Sequence, residues 1–384
     1  MEDLSDYFIG KVMKKIILLL SLLLISICNL FPQPTIKVKD YGEFREGLLS
    51  VLVGNKWGFI DTNGVMVIQP QYISMMGAPF FSNGVAVLEL VPGGPFGAID
   101  KKGNTIVPFV YYRLSEFGDD LAVSMKPADA GNGGTRAHCQ VVSINGTIVN
   151  DSTINDYNFN SFYKEGLSHF REKYKYGFLD KKGLPFIQNI YDDIAPFSEG
   201  LAAVSLKNKW FFIDKSGNSV SAFTTPNQPG DFHNGRSIIF ENNKKGVIDK
   251  SGKVMIQPKY ESLSTFDGGF AAGKYTDEKT WETSFEIIDL DGKVIRKFAP
   301  SVDKGKYYFL QSGFSEGLAV IKEGYEKSGF VDTKGKIAID FKFNSLEKFK
   351  DGRAYAEYTD PKTQEEKTGF INKKGNFVFY FIRE

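Results

Sequence analysis

Side chains able to do chemistry near neutral pH are sparse in this chain of 384 residues, which has three histidines, His138, His169 and His233, and two cysteines, Cys28 and Cys139. A structural or catalytic zinc ion needs several such ligands converging at short, fixed spacings. The histidines lie far apart in sequence, and nothing pairs them. No Gly-x-Ser-x-Gly, His-Glu-x-x-His or phosphate-loop spacing occurs, and Cys139 has no histidine marked as its partner. The carboxylates are more regular: Asp61, Asp100, Asp180, Asp214, Asp249, Asp289 and Asp332 each stand three residues before a glycine. Repeated Asp and Gly can bind calcium, but that ion takes roughly six to eight oxygens and each short loop here offers one carboxylate. An aspartate at the start of a turn accepts hydrogen bonds from N–H groups just ahead of it, and that structural role is the better reading. No catalytic residue, cofactor or metal ligand is therefore assigned. Two carboxylates that meet in space leave no linear trace, so a carboxylate-dependent, glycan-active enzyme stays open as an alternative.

These aspartates mark a period. With Ser143 and Asn372 they give nine register points spaced by 34 to 43 residues, each followed by an invariant glycine such as Gly64, Gly103 or Gly217. A residue that recurs in every unit of a repeat is usually there to build the unit. A second mark precedes each point, clearest at Phe44-Arg45-Glu46-Gly47-Leu48 and Phe197-Ser198-Glu199-Gly200-Leu201. A third follows, as at Ile68-Gln69-Pro70-Gln71-Tyr72. The segments between are short, rich in Val, Ile, Phe, Tyr and Trp, and bounded by Gly, Asn and Asp, which predicts strands. Asp61-Thr62-Asn63-Gly64 suits a type I turn closed by a left-handed glycine. Along Trp57 to Asp61 both faces of the strand carry apolar groups. Glycine at 58, repeated at 97, 177, 246, 329 and 369, predicts that an aromatic side chain of a neighbouring strand lies against the backbone there.

The segment Trp57-Gly58-Phe59-Ile60-Asp61 with Gly64, its copy around Trp210, Asp214 and Gly217, and the Ile-x-Pro-x-Tyr segments together resemble the WG (KWG) repeat family. The resemblance covers about residues 41 to 384. It implies an architectural β repeat, found in bacterial surface, envelope and interaction proteins, without a shared catalytic residue. The chain departs from the pattern where Gln140, Phe211 and Glu286 replace the glycine. The expected fold is all-β: a tandem array of about nine antiparallel hairpin or three-stranded units forming an open, twisting solenoid or rod. Closure into a β-propeller is the alternative, disfavoured because propellers typically have about four to eight four-stranded blades.

A hydrophobic content of 42% with 14% aromatic residues supplies ample core. The 47 basic and 46 acidic residues leave a net charge of +1, which gives no general attraction to nucleic acid. Lys14-Lys15 followed by the apolar run Ile16 to Cys28 has the order of a secretory signal peptide. The expected organisation is a signal peptide at 1–28 with the true start at Met13, a linker at 29–40 and the repeat array at 41–384. Export to the periplasm, outer surface or medium follows. The stretch Leu24 to Cys28 also resembles a lipoprotein box, so membrane attachment is expected only if Cys28 is lipidated. With one cysteine or none left after processing, a disulfide framework is excluded within the monomer.

Two features bear on recognition. Lysines after the turn aspartate, including Lys101, Lys215, Lys250 and Lys373, would form a basic stripe if the units stack, although lysine is also an ordinary solubilising turn residue that blunts strand edges. The connection before each Trp-Gly strand varies in length, and per-unit insertions in repeat proteins commonly decorate the binding face. That argument selects Pro92, Gly93, Asn132, Arg136, Tyr275, Lys279, Trp281 and Lys362 as candidate binding residues. The expected function is an exported, non-catalytic repeat scaffold that binds a protein or glycan partner at the bacterial cell envelope. A self-associating structural component of the envelope is the other alternative.

Overall fold

A computed structural model describes residues 33–74, 77–126, 138–152, 162–220, 222–300 and 302–384. The signal segment 1–28 with Met13 and Cys28, and the candidate residues Asn132 and Arg136, lie outside the described residues. Every regular element among those described is a β-strand, and the strands form nine sheets. The sheets are the blades of a closed β-propeller. With their leading corners they occupy residues 40–72, 77–111, 113–152, 162–191, 193–214, 230–260, 262–298, 308–343 and 345–383, and are numbered 1 to 9 below.

Blade 1 shows the plan. A two-residue first strand, Asp40–Tyr41, pairs with the second, Leu48–Val53, which pairs with the third, Lys56–Asp61, and that with the fourth, Met66–Tyr72. The second and third strands are almost wholly buried because both faces of each blade are covered by neighbours. Phe59 enters a cluster with Phe81, Ala86 and Ile99 of blade 2, while Ile60, pointing the other way, enters one with Phe370 and Phe379 of blade 9. The core thus lies between blades rather than within them.

Two-sided burial explains why the array closes. An open rod would leave an apolar blade face bare at each end, and in the ring blade 9 covers blade 1 instead. The strand Thr35–Val38 adds in parallel to Phe377–Arg383, so blade 9 is completed from the N-terminal side by residues within the stretch 29–40. Val38 is buried beside Phe379 and Phe381. The open solenoid is therefore corrected to the propeller; the three-stranded unit is kept in blades 4, 5 and 6, the other blades add a short first strand, and strands are numbered below by their counterparts in blade 1. Two-residue strands such as Asp40–Tyr41 and Arg113–Leu114 lie outside the Trp-Gly signature and are too short to show a period.

The turn reading holds at atomic level. Gly64 has φ +80°, its N–H donates to Asp61 O at 3.0 Å, and one Asp61 carboxylate oxygen accepts from Asn63 N and Val65 N at 2.8 and 2.9 Å. The same pair of bonds recurs at Asp100, Asp180, Asp214, Asp249, Asp289, Asp332 and Asn372. In blade 3 Asn145 takes over, accepting from Thr147 N at 3.0 Å.

The Trp-Gly glycine has a different reason from the one expected. A Cβ at Gly58 would stand 2.6 Å from Ile68 O and 2.8 Å from Pro70 N, both backbone atoms of the fourth strand. Opposite Gly58 the register jumps from Trp57↔Tyr72 to Phe59↔Ile68, so Gln69, Pro70 and Gln71 bulge against one glycine. Pro70 has no N–H to contribute to the ladder, and a bulge is where proline is tolerated. The bulge recurs in blades 1, 2, 4, 6 and 8. At Gln140 and Glu286 the pairing is regular instead, and an aromatic ring approaches such a glycine at Gly97, where Phe109 lies alongside Val107 O.

Candidate binding face

Strands alternate in direction, so each blade sends its first corner and its Asp turn to one face of the ring, and its second-to-third loop to the other. The first corner is a two-residue hairpin in which Arg45 and Leu48 exchange backbone hydrogen bonds, with Glu46 at φ 54° and Gly47 at φ 83°. Corners of blades 8, 9, 1 and 2 line one shared depression of about 410 Å³, and Lys164 of blade 4 reaches Asp231 of blade 6 at 3.6 Å. Contacts that skip a blade place these corners around the axis.

A glutamate in the left-handed region is strained, and the next blade accounts for it. The Glu46 carboxylate accepts from Gly84 N at 2.9 Å and from Lys101 Nζ at 3.0 Å, and Lys101 also donates to Glu46 O. Burial opposes the ionisation of Glu46, but the hydrogen bonds from Lys101 and Gly84 outweigh it and hold the carboxyl below its ordinary pKa. The latch repeats from Glu165 to Gly200 and Lys215, from Glu199 to Gly235 and Lys250, and from Glu316 to Gly352 and Lys373. At the seam Asp351 accepts from Gly47 N at 2.8 Å. Lys101, Lys215, Lys250 and Lys373 are thus neutralised between blades and do not form a free basic stripe.

The opposite face carries the variable loops. In blade 7 the Asp277 carboxylate accepts from Lys279 N and Thr280 N, and Trp281 N donates to Asp277 O at 2.8 Å. Blade 9 repeats this loop around Asp360, with Lys362, Thr363 and Gln364 in the matching places. Both loops put the residue before the closing glutamate in the left-handed region, Trp281 at φ 59° and Gln364 at φ 61°. Trp281 is 80% exposed. Lys279 and Lys362 are exposed beside it and its counterpart, whereas Tyr275 is half-buried against Tyr260, with ring centroids 6.3 Å apart. Pro92 and Gly93 form the exposed tip in blade 2, where Gly93 N donates to the buried Glu89 at 3.1 Å. The candidate residues that are described therefore share a face by topology but sit on different blades.

Two further residues of this face lie in loops too short to be marked by length. Tyr174 and Tyr325, on the second-to-third loops of blades 4 and 8, are 82% and 88% exposed, which with Trp281 makes them the most exposed large apolar side chains among the described residues. Tyr174 has φ 66° in a tight hairpin whose counterparts carry asparagine, Asn208 at φ 62° and Asn243 at φ 60°. An aromatic residue where a turn wants asparagine was the available signal. Tyr325 lies tilted against Phe309 with ring centroids 5.5 Å apart, and Phe309 meets Phe285 of blade 7 edge-on at 5.6 Å.

The histidines do not converge. His169 lies in the second strand of blade 4, where burial pulls its pKa down against an opposing pull from Asp193, while His233 is exposed at the corner of blade 6. His138 and Cys139 are in the third strand of blade 3. Among the described residues no three His, Cys, Asp or Glu side chains group to hold a metal ion.

The family model described as WG containing repeat matches residues 57–90, 96–123, 176–210, 246–274 and 329–358. Each match starts in the third strand of one blade and runs to the second strand of the next or just past it, so the family's repeat is offset by about half a blade from the structural unit. The five starting blades are those with the glycine-backed bulge. No curated protein sequence matches the chain. A solved structure described as a crystal structure of the eukaryotic initiation factor is 12% identical and superposes with a TM-score of 0.53 over 88% of this chain and 96% of that one, a likeness of fold. More distant are Kluyveromyces lactis Hsv2 with loop 6CD replaced by a Gly-Ser linker, at 9% identity, 89% and 99% coverage and TM-score 0.36, and apo AztD from Citrobacter koseri, at 14%, 78% and 84% and 0.33. Matched from five of its nine blades, with the same turn built in the others, the chain is a WG repeat protein.

Proposed function

We propose that this propeller is an exported, non-catalytic scaffold that binds a protein or glycan partner at the bacterial cell envelope through the face bearing the second-to-third loops. The observation that carries the reading is the placement of Tyr174, Trp281 and Tyr325, all on that face and all extended into solvent. An exposed aromatic ring is a large, stiff contact group with little conformational entropy to lose, and Trp and Tyr dominate binding energies at interfaces. On the opposite face Glu46, Glu165, Glu199 and Glu316 and their partner lysines are committed to latches between blades, and the turn aspartates to their own turns. Export rests on the order of charge and hydrophobicity in Lys14 to Cys28. The test is capture from a bacterial envelope fraction by the immobilised protein, with and without enzymatic removal of glycans. Capture should be lost in a Tyr174→Ala, Trp281→Ala, Tyr325→Ala triple variant that unfolds at the same denaturant concentration as the parent. Undiminished capture by that variant, or turnover of a polysaccharide by the purified protein, would overturn the reading.

A further inference from the structure

Blade 2 departs from its neighbours in a way that opens a cavity. In blades 1, 3, 5, 6, 7 and 9 the residue two before the corner aromatic donates its N–H to the second strand, as Gly42 to Ser50 O, Ser115 to Val123 O and Glu347 to Tyr355 O. In blade 2 that residue is Pro79, which has no N–H. Ile73 exchanges backbone hydrogen bonds with Glu89 at 2.8 and 3.2 Å, as Asp40 pairs with Leu52 in blade 1, but eight residues rather than four then lead to the corner aromatic, where Phe81 and Ser82 pair with Ala86 and Val85. The chain over Gly77 to Phe80 lines a cavity of about 400 Å³ running beside the second strand from Val85 to Glu89. That volume suits a small organic molecule.

The walls have a consistent chemistry. Phe80, Phe96, Phe117 and Phe162 line it from blades 2, 3 and 4, together with Glu89 and Glu116. Glu89 is 2% exposed. Among the described residues its carboxylate takes one hydrogen bond, from Gly93 N, and no lysine or arginine is paired with it. A buried carboxylate is costly without a compensating charge. The Arg45 guanidinium, from the corner of blade 1, lies over the Phe80 ring at 3.8 Å, so one of these rings already holds a cation of the chain itself, and the same charge acts on Glu116. Aromatic faces and a carboxylate are complementary to an ammonium group on an apolar body and repel an anion.

We propose that the cavity of blade 2 binds a small organic cation, an amine or ammonium on an apolar or aromatic body, with Glu89 as its counter-charge and the four phenylalanines as its cage. This site is independent of the loop face, and neither reading depends on the other. Titration calorimetry of the full chain with 2-phenylethylammonium, 2-phenylethanol and phenylacetate separates charge from shape. The cation should bind at one site, the alcohol at least roughly tenfold more weakly and the anion more weakly still. Glu89→Gln keeps an oxygen to accept from Gly93 N and should remove the preference for the cation while leaving the alcohol unchanged. Should that variant unfold, Glu116→Gln at the rim must reduce cation affinity in the same direction. Equal binding of cation and alcohol, no binding of the cation up to its solubility, or an unaltered preference in both variants overturns the proposal.

Discussion

Phe370, in the third strand of blade 9, meets Phe44, at the corner of blade 1, edge-on with ring centroids 5.1 Å apart. The corresponding rings meet between successive blades elsewhere, edge-on for Phe59 with Phe81 and Phe178 with Phe197 at 4.8 Å, and tilted for Phe212 with Phe232 at 4.8 Å and Phe330 with Phe349 at 4.7 Å. The aromatic residue of the Trp-Gly strand and the aromatic residue of the next corner are thus one packing unit, and the seam uses it like any interior joint.

If the seam is an ordinary joint, Phe44→Ala should cost as much as Phe81→Ala, about 3–5 kcal/mol for a buried phenylalanine. Both rings are almost fully buried, at 2% and 1% exposure. Urea unfolding of the two variants checks this. A rod with a free first unit would barely register the loss of Phe44. X-ray scattering gives the matching shape, with a radius of gyration near the roughly 21 Å of a compact chain of this length.

A Cβ at Gly58 has no room, because the atoms it would meet belong to the backbone of the bulged strand. Gly58→Ala and Gly246→Ala should each destabilise by about 2 kcal/mol or more through overpacking. Gln140→Gly is the control: blade 3 pairs regularly there, so the change should add no bulge and cost about 1 kcal/mol or less. Thermal or urea midpoints order the three variants. Equal costs at all three would show that the bulge does not depend on glycine.

How much of this was legible in the sequence depends on the range of the interaction. The Asp61 turn closes within four residues, so its composition reveals it. Glu46 and Lys101 are 55 residues apart; each reads as a surface charge until the blades are set side by side, and four lysines of the apparent basic stripe then prove to be paired. Closure was hidden because it depends on two-residue strands and on the parallel addition of Thr35–Val38, neither of which has a periodic pattern. Trp281 stood out because its loop is long, whereas Tyr174 sits in a hairpin too tight to attract notice. The cavity of blade 2 arises from a bond that Pro79 cannot make, visible only against the blades that make it.

The latches also set an acid limb. Glu46, Glu165 and Glu199 have carboxyls held below their ordinary pKa, where hydrogen bonds from the next blade outweigh the opposing effect of burial. A lowered folded-state pKa contributes stability above the unfolded value, near pH 4.3, which is lost as pH falls through the folded value. Glu116 and Glu347 act oppositely, since burial raises theirs and they favour unfolding at neutral pH. Stability of the parent should therefore fall below about pH 4.3. In Glu199→Gln the loss over that range should be shallower and neutral-pH stability lower, by about 1 kcal/mol for an ion pair with part-exposed partners. Urea midpoints from pH 3 to pH 7 would decide it, and parallel curves would remove Glu199 from the acid transition.

Trp281 offers a separation of stability from recognition. Its backbone is left-handed at φ 59°, its ring is exposed, and the equivalent loop of blade 9 carries Gln364 in the same conformation, so the loop does not require a tryptophan. Glycine adopts this conformation without the steric cost an L side chain meets there, although it also adds freedom to the unfolded chain. Trp281→Gly should leave stability within about 1 kcal/mol of the parent and above that of Trp281→Ala, which keeps the strain and loses the ring. Both substitutions should weaken capture of the envelope partner equally, because both delete the same contact group. Unfolding midpoints and capture measured on the same two variants test the two halves separately: a large loss of stability in Trp281→Gly would show that the ring packs within the fold, and intact capture would remove Trp281 from the binding face.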